Sequence, residues 1–355
     1  MNEVIATDTL IVGAGLAGLR LADILTSAGH DFQLVEARDR IGGRVLTHTV
    51  DTAGYDLGPA WCWDGQPRIA ALIRRFDLAV FEQFALGDFR YEDAQGRIQQ
   101  GRGAGSMKGS FRLAGGMQRL CHSLALGLPE NRLHLNTPVL SIARTETGTT
   151  ALTASGQSFS ARRVVFALPP RLVAHLKFEP VLSTTTLERL ENIPTWMAGQ
   201  AKAIALFETA FWRDEGLSGD AMSHRGPMVE IHDASPATSG PFALFGFIGV
   251  PPENRMDEVA LKAAVHAQLQ RLFGPNAREP LDILLKDWAQ DNATATPADA
   301  QPLHAHPTYG MPEELHSLWE GRLGFAGSEV APEFGGFLEG ALEAAEAAAL
   351  TIISL

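Results

Sequence analysis

Apolar and polar positions change rhythm three times within the first 36 residues. Thr9-Leu10-Ile11-Val12 is an apolar run too short for a helix and reads as a strand. Gly13-Ala14-Gly15-Leu16-Ala17-Gly18 follows, and the spacing then predicts a helix to about Ser27, with Gly29 as its stop. Phe32-Gln33-Leu34-Val35-Glu36 reads as a second strand. Strand, glycine-rich turn, helix and strand in about 30 residues is the size of one βαβ unit.

Further on, residues 37–66 are loop-rich and 67–82 carry Ile69, Leu72, Ile73 and Phe76 at helical spacing. Residues 85–112 are rich in Gly and Arg and suggest a short hairpin and a mobile loop. Gly115-Gly116 opens a helix through Leu126. Residues 133–142 and 151–168 read as strands, the second ending in Val164-Val165-Phe166-Ala167-Leu168 before Pro169-Pro170. Beyond about 181 the pattern predicts strands at 198–207, 243–250 and 281–288, and an amphipathic helix at 259–272. Residues 289–312 read as loop, 323–327 as a short buried strand, and 337–353 as a helix with Leu338, Leu342, Ala345 and Ala349 on one face.

Composition narrows the class. The 355 residues are 45% hydrophobic and 20% charged, which excludes disorder and fibrous architectures. No apolar run reaches membrane-spanning length, so no membrane partner is expected. Met1-Asn2-Glu3-Val4 lacks the basic region of a secretory signal. Cys62 and Cys121 are too few for a disulfide framework, and a reducing, cytoplasmic setting is expected. A net charge of −12 argues against nucleic acid as a partner.

The glycines of the first unit have a physical assignment. Gly13 permits a tight turn, Gly15 lets backbone approach a pyrophosphate at the helix N-terminus, and Gly18 lets helix and strand pack closely. Glu36, 23 positions after Gly13, is placed to accept hydrogen bonds from a ribose and would repel a 2′-phosphate. These features predict a dinucleotide site and disfavour NADP.

The residues after Glu36 separate FAD from NAD. Glu36-Ala37-Arg38-Asp39-Arg40-Ile41-Gly42-Gly43-Arg44 resembles the second fingerprint of the flavin amine oxidase family, the monoamine and polyamine oxidase group. Phe325-Ala326-Gly327-Ser328-Glu329 and Gly335-Gly336-Phe337-Leu338-Glu339-Gly340-Ala341 are similar to that family's C-terminal FAD motif. Leu113–Met117, Pro138-Val139 and Phe166–Pro170 resemble its intermediate landmarks. The resemblance implies an α/β fold: a Rossmann-like FAD-binding domain with an interleaved α+β substrate domain of antiparallel sheet and helices. It places the FAD domain at 1–66, 107–180 and 318–355, and the substrate domain at 67–106 and 181–317. It implies FAD contacts at Gly13, Gly15, Gly18, Glu36, Ala37, Arg38, Gly43, Arg44, Val139, Gly327, Glu329 and Phe337. Arg44 is expected on a phosphate oxygen, Val139 at the adenine and Glu329 near the ribityl or pyrophosphate region.

Catalytic expectations follow from the same resemblance. Lys202, inside the apolar Ala201–Phe207 stretch, matches the lysine that holds a water near flavin N5 and assists reoxidation by O2. Phe337 matches an aromatic beside the flavin, and Trp288 a tryptophan packed near the site. The second aromatic wall common in the family is not evident, because small residues occupy 289–297; Trp61 and Trp63 offer aromatic surface from another side. The cysteine used for covalent flavin attachment is also missing there, so FAD is expected to be non-covalent. No metal site is expected, including at His304 and His306.

The implied activity is oxidation of a small-molecule amine C–N bond to an imine by hydride transfer to flavin N5, with O2 reoxidation to H2O2. Two alternatives stay open: an FAD dehydrogenase or desaturase with poor O2 reactivity, and a flavoprotein acting with a partner polypeptide. The chain is short for the family. Only 57 positions separate Gly58 from Gly115, where the family places a sizeable helical part. A trimmed, open site follows, covered by a bulky substrate or a protein partner.

Overall fold

In the computed structural model, residues 4–103, 107–238, 240–301, 303 and 305–354 are described. Strand Val4–Val12 lies at the centre of the first sheet and is fully buried from Thr9 onward. It pairs in parallel with Phe32–Val35 on one side and Ser158–Phe166 on the other. Leu133–His134 and Leu323–Phe325 extend the parallel part. Parallel strands covered on both faces bury both side-chain rows, which is why 9–12 and 164–166 read as unbroken apolar runs. The N-terminal half of Ser158–Phe166 also pairs antiparallel with Thr149–Thr153, which in turn pairs with Val139–Arg144.

One face of this sheet is covered by helices Leu16–Ser27, Gln118–Leu126 and Leu338–Ile353, around Ile11, Leu19, Leu21, Leu34, Leu120 and Leu342. The other buries Leu10, Val12, Phe159, Phe166 and Phe325. A fully buried carboxylate, Glu339, ties in helix Pro67–Arg75 by accepting from the Arg68 and Ile69 N–H groups at 2.9 Å each.

A second sheet has the order Asp282–Asp287, Ala201–Phe207, Phe242–Ile248, Met228–Asp233, Leu217–Ser223, Asp88–Glu92, Ile98–Gly101. Its pairs are antiparallel except that of Leu217–Ser223 with Asp88–Glu92. Strand Ala201–Phe207 shows why its lysine matters. Side chains alternate across a strand. Ala201, Ala203, Ala205 and Phe207 join the core under helix Glu258–Phe273. Ile204 and Leu206 join the opposite core with Tyr55 and Leu57 from the N-terminal segment. Lys202 shares the parity of Ile204, so it faces the N-terminal segment.

Some local expectations change. The helix expected over 67–82 ends at Arg75: Asp77 has φ +50°, and Val80–Glu82 pairs as a strand with Phe111–Leu113. The loop-rich stretch 37–66 holds a hairpin, Thr47–Val50 with Ala53–Asp56. Strands Leu217–Ser223 and Met228–Asp233 and helix Thr184–Glu191 carry too little periodic apolar pattern to be anticipated. Between Gly58 and Gly115 the described residues form one short helix, the strand pair Val80–Glu82 with Phe111–Leu113, and the hairpin Asp88–Glu92 with Ile98–Gly101. No helix of the described residues is long and apolar enough to cross a membrane.

Candidate active site

A cleft of about 1440 Å³ of empty space runs from the glycine-rich turn to the second sheet. At one end it is lined by Gly13, Gly15, Leu16, Ala17, Glu36, Arg38, Gly43 and Arg44, and at the other by Trp61, Trp196, Lys202, Phe247, Trp288 and Phe337.

The nucleotide end is built by close backbone contacts. Gly15 caps helix Leu16–Ser27 with no side-chain cap, so the first N–H groups of the helix remain for a ligand in the cleft. A Cβ on Gly18 would lie 1.9 Å from the Gly13 carbonyl oxygen, whereas a Cβ on Gly15 meets nothing nearer than 3.9 Å. Gly18 is therefore a packing glycine, and Gly15 leaves open space beside the cleft. Glu36 accepts from the Ala14 N–H at 2.8 Å and the Arg38 N–H at 3.0 Å. Oε1 also accepts from the Arg38 guanidinium at 3.5 Å, while Oε2 keeps a lone pair free to receive a ribose hydroxyl.

Arg38 reaches across to the second sheet's loop, donating to Asp291 at 2.5 Å and to the Thr294 hydroxyl at 2.7 Å. That pairing holds Ala293 and Thr294 in the cleft wall, the small residues that stand where an aromatic was expected. Arg44 donates to Glu329 at 2.6 and 3.2 Å and to the Ser328 hydroxyl at 3.2 Å. Burial alone would lower the Arg44 guanidinium; Glu329 beside it outweighs this and raises it. Glu329 is fully buried and does not line the cleft; both its oxygens go to Arg44. Ala37 and Val139 do not line the cleft either, and Val139 sits in a strand pair opposite Thr153. Gly327 does.

The other end is aromatic and carries one amine. Lys202 lies directly opposite Phe247 on the neighbouring strand and Lys286 on the other, so the strand is internal and its lysine cannot reach solvent along an edge. Its Nζ donates to the Gly58 carbonyl oxygen at 2.5 Å and sits over the Phe245 and Phe247 rings at 5.1 and 5.0 Å. Burial pulls the ammonium down to about 8, against a smaller opposing pull from Asp56. Lys286 pairs instead with Asp291 at 2.7 Å and covers the Trp288 ring at 4.6 Å. Trp288 donates its indole N–H to the Leu57 carbonyl oxygen at 3.0 Å, which locks it as a packing wall.

Phe337 is the N-cap of helix Leu338–Ile353, and Leu338 and Ala341 also line the cleft. The helix's positive end therefore opens onto the cleft and favours negative charge there. His306 stacks on Phe337 at 4.8 Å and 10°, with Trp196 and Tyr309 edge-on behind it. His304 lies outside the described residues, and among the described residues no group of three His, Cys, Asp or Glu could hold a metal. Cys62 and Cys121 are both buried, their thiols pushed up to about 11 and about 12 by burial, and neither lines the cleft.

Trp196, Gln200, Phe247 and the Asp291 clamp were not anticipated. Phe247 is recognisable only once its strand is paired with Lys202, and no periodicity sets that register.

The family model for flavin-containing amine oxidoreductases matches residues 16–108 and 99–353. The chain belongs to the flavin-containing amine oxidoreductases. FAD is the cofactor of this family, and the uncapped helix end, the open Gly15 and the half-satisfied Glu36 fit it. As a family member, the protein is an FAD-dependent amine oxidoreductase. It is 30% identical over 241 residues to a protein described as a probable flavin-containing monoamine oxidase A of Dictyostelium discoideum, covering 65% of this chain and 51% of that one. It is 26% identical over 455 positions to a Mycobacterium tuberculosis protein described as a flavin-containing monoamine oxidase, covering 98% and 97%. That alignment exceeds this oxidoreductase's own length by about 100 positions, so the relative carries insertions that this chain lacks. A solved structure of putrescine oxidase with putrescine bound shares the fold, with TM-score 0.82 at 22% identity over 99% of this chain and all of that one.

Proposed function

We propose that the protein oxidises the C–N bond of a primary amine to an imine and passes the electrons to O2. The balanced conversion is R–CH2–NH2 + O2 + H2O → R–CHO + NH3 + H2O2, the imine being hydrolysed by water. Non-covalently bound FAD supplies the two-electron acceptor for the amine's α-C–H. The residues divide the remaining work. Gly13, Gly15, Glu36, Arg38, Gly43 and Arg44 bind and orient the dinucleotide, with Gly18, Ala37, Val139, Gly327 and Glu329 supporting them. The open end of helix Leu338–Ile353 stabilises negative charge. Phe337 and Trp288 exclude water from the reacting carbon, and Lys202 holds a water through its Nζ for the return of electrons to O2.

The observation that carries this reading is Lys202, a buried amine lining the same cleft as Phe337, with an ammonium lowered to about 8. A group so poised exchanges a proton near neutral pH. The two free, buried cysteines fit work in the reducing cytoplasm. The test is reoxidation of the reduced holoprotein by air in a stopped-flow mixer. We expect stoichiometric H2O2 and a rate at least tenfold slower in Lys202→Met. Slow reoxidation that is equal in both proteins would assign a dehydrogenase instead.

A further inference from the structure

Trp61 stands at the aromatic end of the cleft and is fixed by groups that make no contact there. Its indole N–H donates to Gln83 Oε1 at 2.8 Å. Gln83 is 4% exposed, and its amide nitrogen donates to the Asp233 carbonyl oxygen at 2.7 Å and the Phe84 carbonyl oxygen at 3.0 Å. Both hydrogen-bonding ends of Gln83 are thereby fixed. Asp233 is itself pinned, accepting from Arg213 at 2.8 and 2.9 Å and from the Trp212 indole at 2.8 Å. The Trp61 ring meets Phe245 edge-on at 5.5 Å and Phe247 at 6.4 Å, the two rings that lie beneath the Lys202 amine.

We infer that Trp61, oriented by Gln83, is the second aromatic wall of the amine pocket, and that the pocket takes an apolar monoamine. This rests on the amine-oxidising reading above. The wall has moved from the 289–297 segment, which Arg38 and Asp291 hold down with Ala293 and Thr294 facing the cleft, to the N-terminal segment beside Gly58.

The charges set the substrate class. Among the described residues lining the cleft, Glu36 is the only carboxylate, and it lies at the nucleotide end, engaged by Ala14 and Arg38. Arg38 and Arg44 are committed to Asp291 and Glu329. The aromatic end offers Trp61, Trp63, Phe247 and Phe337 with Lys202 as its cation. A second ammonium, as in a diamine, meets no carboxylate there and is repelled by Lys202. An α-carboxylate meets no uncommitted arginine. An aryl or alkyl chain gains apolar contact and edge-to-face packing. Gln83 is a positioning residue, since it acts only through the indole.

The experiment is anaerobic reduction of bound FAD by 2-phenylethylamine, hexylamine and putrescine in the wild type, Trp61→Ala, Trp61→Phe, Gln83→Leu and the Trp61→Phe/Gln83→Leu double variant. Alongside it, binding of 2-phenyl-2-propylamine, which has no α-hydrogen to lose, is read from the shift of the flavin spectrum. We expect phenylethylamine to reduce the wild type at least tenfold more efficiently than putrescine. Trp61→Ala raises the Kd of both aryl amines at least tenfold with the limiting rate changed less than threefold, and Trp61→Phe stays within threefold of wild type. Gln83→Leu raises the same Kd, and adding Gln83→Leu to Trp61→Phe, whose ring has no N–H for Gln83 to hold, changes it less than threefold. Putrescine equal to or better than phenylethylamine overturns the substrate class, whatever the variants do. An unchanged aryl amine Kd in Trp61→Ala overturns the wall. If dithionite reduces the wild-type flavin and no amine does, the amine-oxidising reading itself fails.

Discussion

Arg44 and Glu329, 285 residues apart in sequence, meet in a two-pronged ion pair of 2.6 and 3.2 Å at the edge of the cleft. The pair joins the N-terminal fingerprint to the C-terminal motif, so both ends of the chain must be in place before the cofactor end of the cleft exists. Arg44 keeps 29% of its side chain exposed while Glu329 has none. The carboxylate is the buried partner, and it orients the guanidinium toward the cleft.

Glu329→Gln is therefore expected to do more than remove a charge. Breaking a fully buried pair costs about 3–5 kcal/mol, and the partial exposure of Arg44 discounts this to about 2 kcal/mol. Urea unfolding of the cofactor-free protein should show that loss, and FAD titration should show a Kd raised about tenfold. Unchanged FAD affinity would mean that Arg44 does not need its partner to meet the cofactor.

The glycines of the first turn should separate by variant. In Gly18→Ala the new methyl falls 1.9 Å from the Gly13 carbonyl oxygen, a backbone atom that cannot give way. That protein should unfold early or accumulate poorly. In Gly15→Ala the methyl has room and the backbone is ordinary, with φ −73°. Its cofactor-free melting temperature should stay near wild type while FAD content after purification falls sharply, as read by absorbance and circular dichroism. A Gly15→Ala protein that retains full FAD would remove the pyrophosphate from this turn.

Lys202 makes a prediction of opposite sign to most core substitutions. Its ammonium titrates near 8 in the folded protein and near 10.5 when unfolded. Above pH 10.5 the amine is neutral in both states and has no effect on stability. As pH falls from there to 8 the unfolded chain binds the proton first and stability drops; below 8 the penalty is constant at about 3 kcal/mol. Lys202→Met escapes that penalty and loses the bond to Gly58, worth about 1 kcal/mol. It should be more stable than wild type by about 2 kcal/mol at pH 7, with the advantage gone by pH 10. Denaturant midpoints of cofactor-free protein at both pH values measure this, and a pH-independent difference would contradict the burial of a charged lysine.

Glu339 reads as part of a cofactor motif in the sequence, yet the structure shows it capping another helix. Glu339→Ala leaves the Arg68 and Ile69 N–H groups without their acceptor and should cost about 1–2 kcal/mol, with thermal unfolding as the readout. Loss of FAD without loss of stability would return the residue to the cofactor.

Much of the first sheet was legible because its strands and helix ends follow local rules. Thr9–Val12 is apolar on both faces, Gly29 stops a helix, and the glycine spacing fits one turn. Lys202 stood out as the only charge in its strand. What it faces was not legible, because that depends on pairing opposite Phe247 and on the Gly58 carbonyl, 144 residues away. Glu329 was legible as part of the C-terminal motif; its pairing with Arg44 was not, since sequence does not show that a residue 285 positions away would engage both its oxygens. Trp61, with Trp63, was legible as aromatic surface from another side of the site; how it is held was not, because that depends on Gln83, a lone polar residue between short strands with no pattern of its own.

The most direct test of the account is the visible spectrum of the purified, flavin-loaded protein mixed with a primary amine in the absence of O2. Bleaching of the oxidised flavin bands by the amine, at a rate that saturates with amine concentration, is the predicted result. A spectrum that stays oxidised with every amine while dithionite bleaches it at once would contradict it.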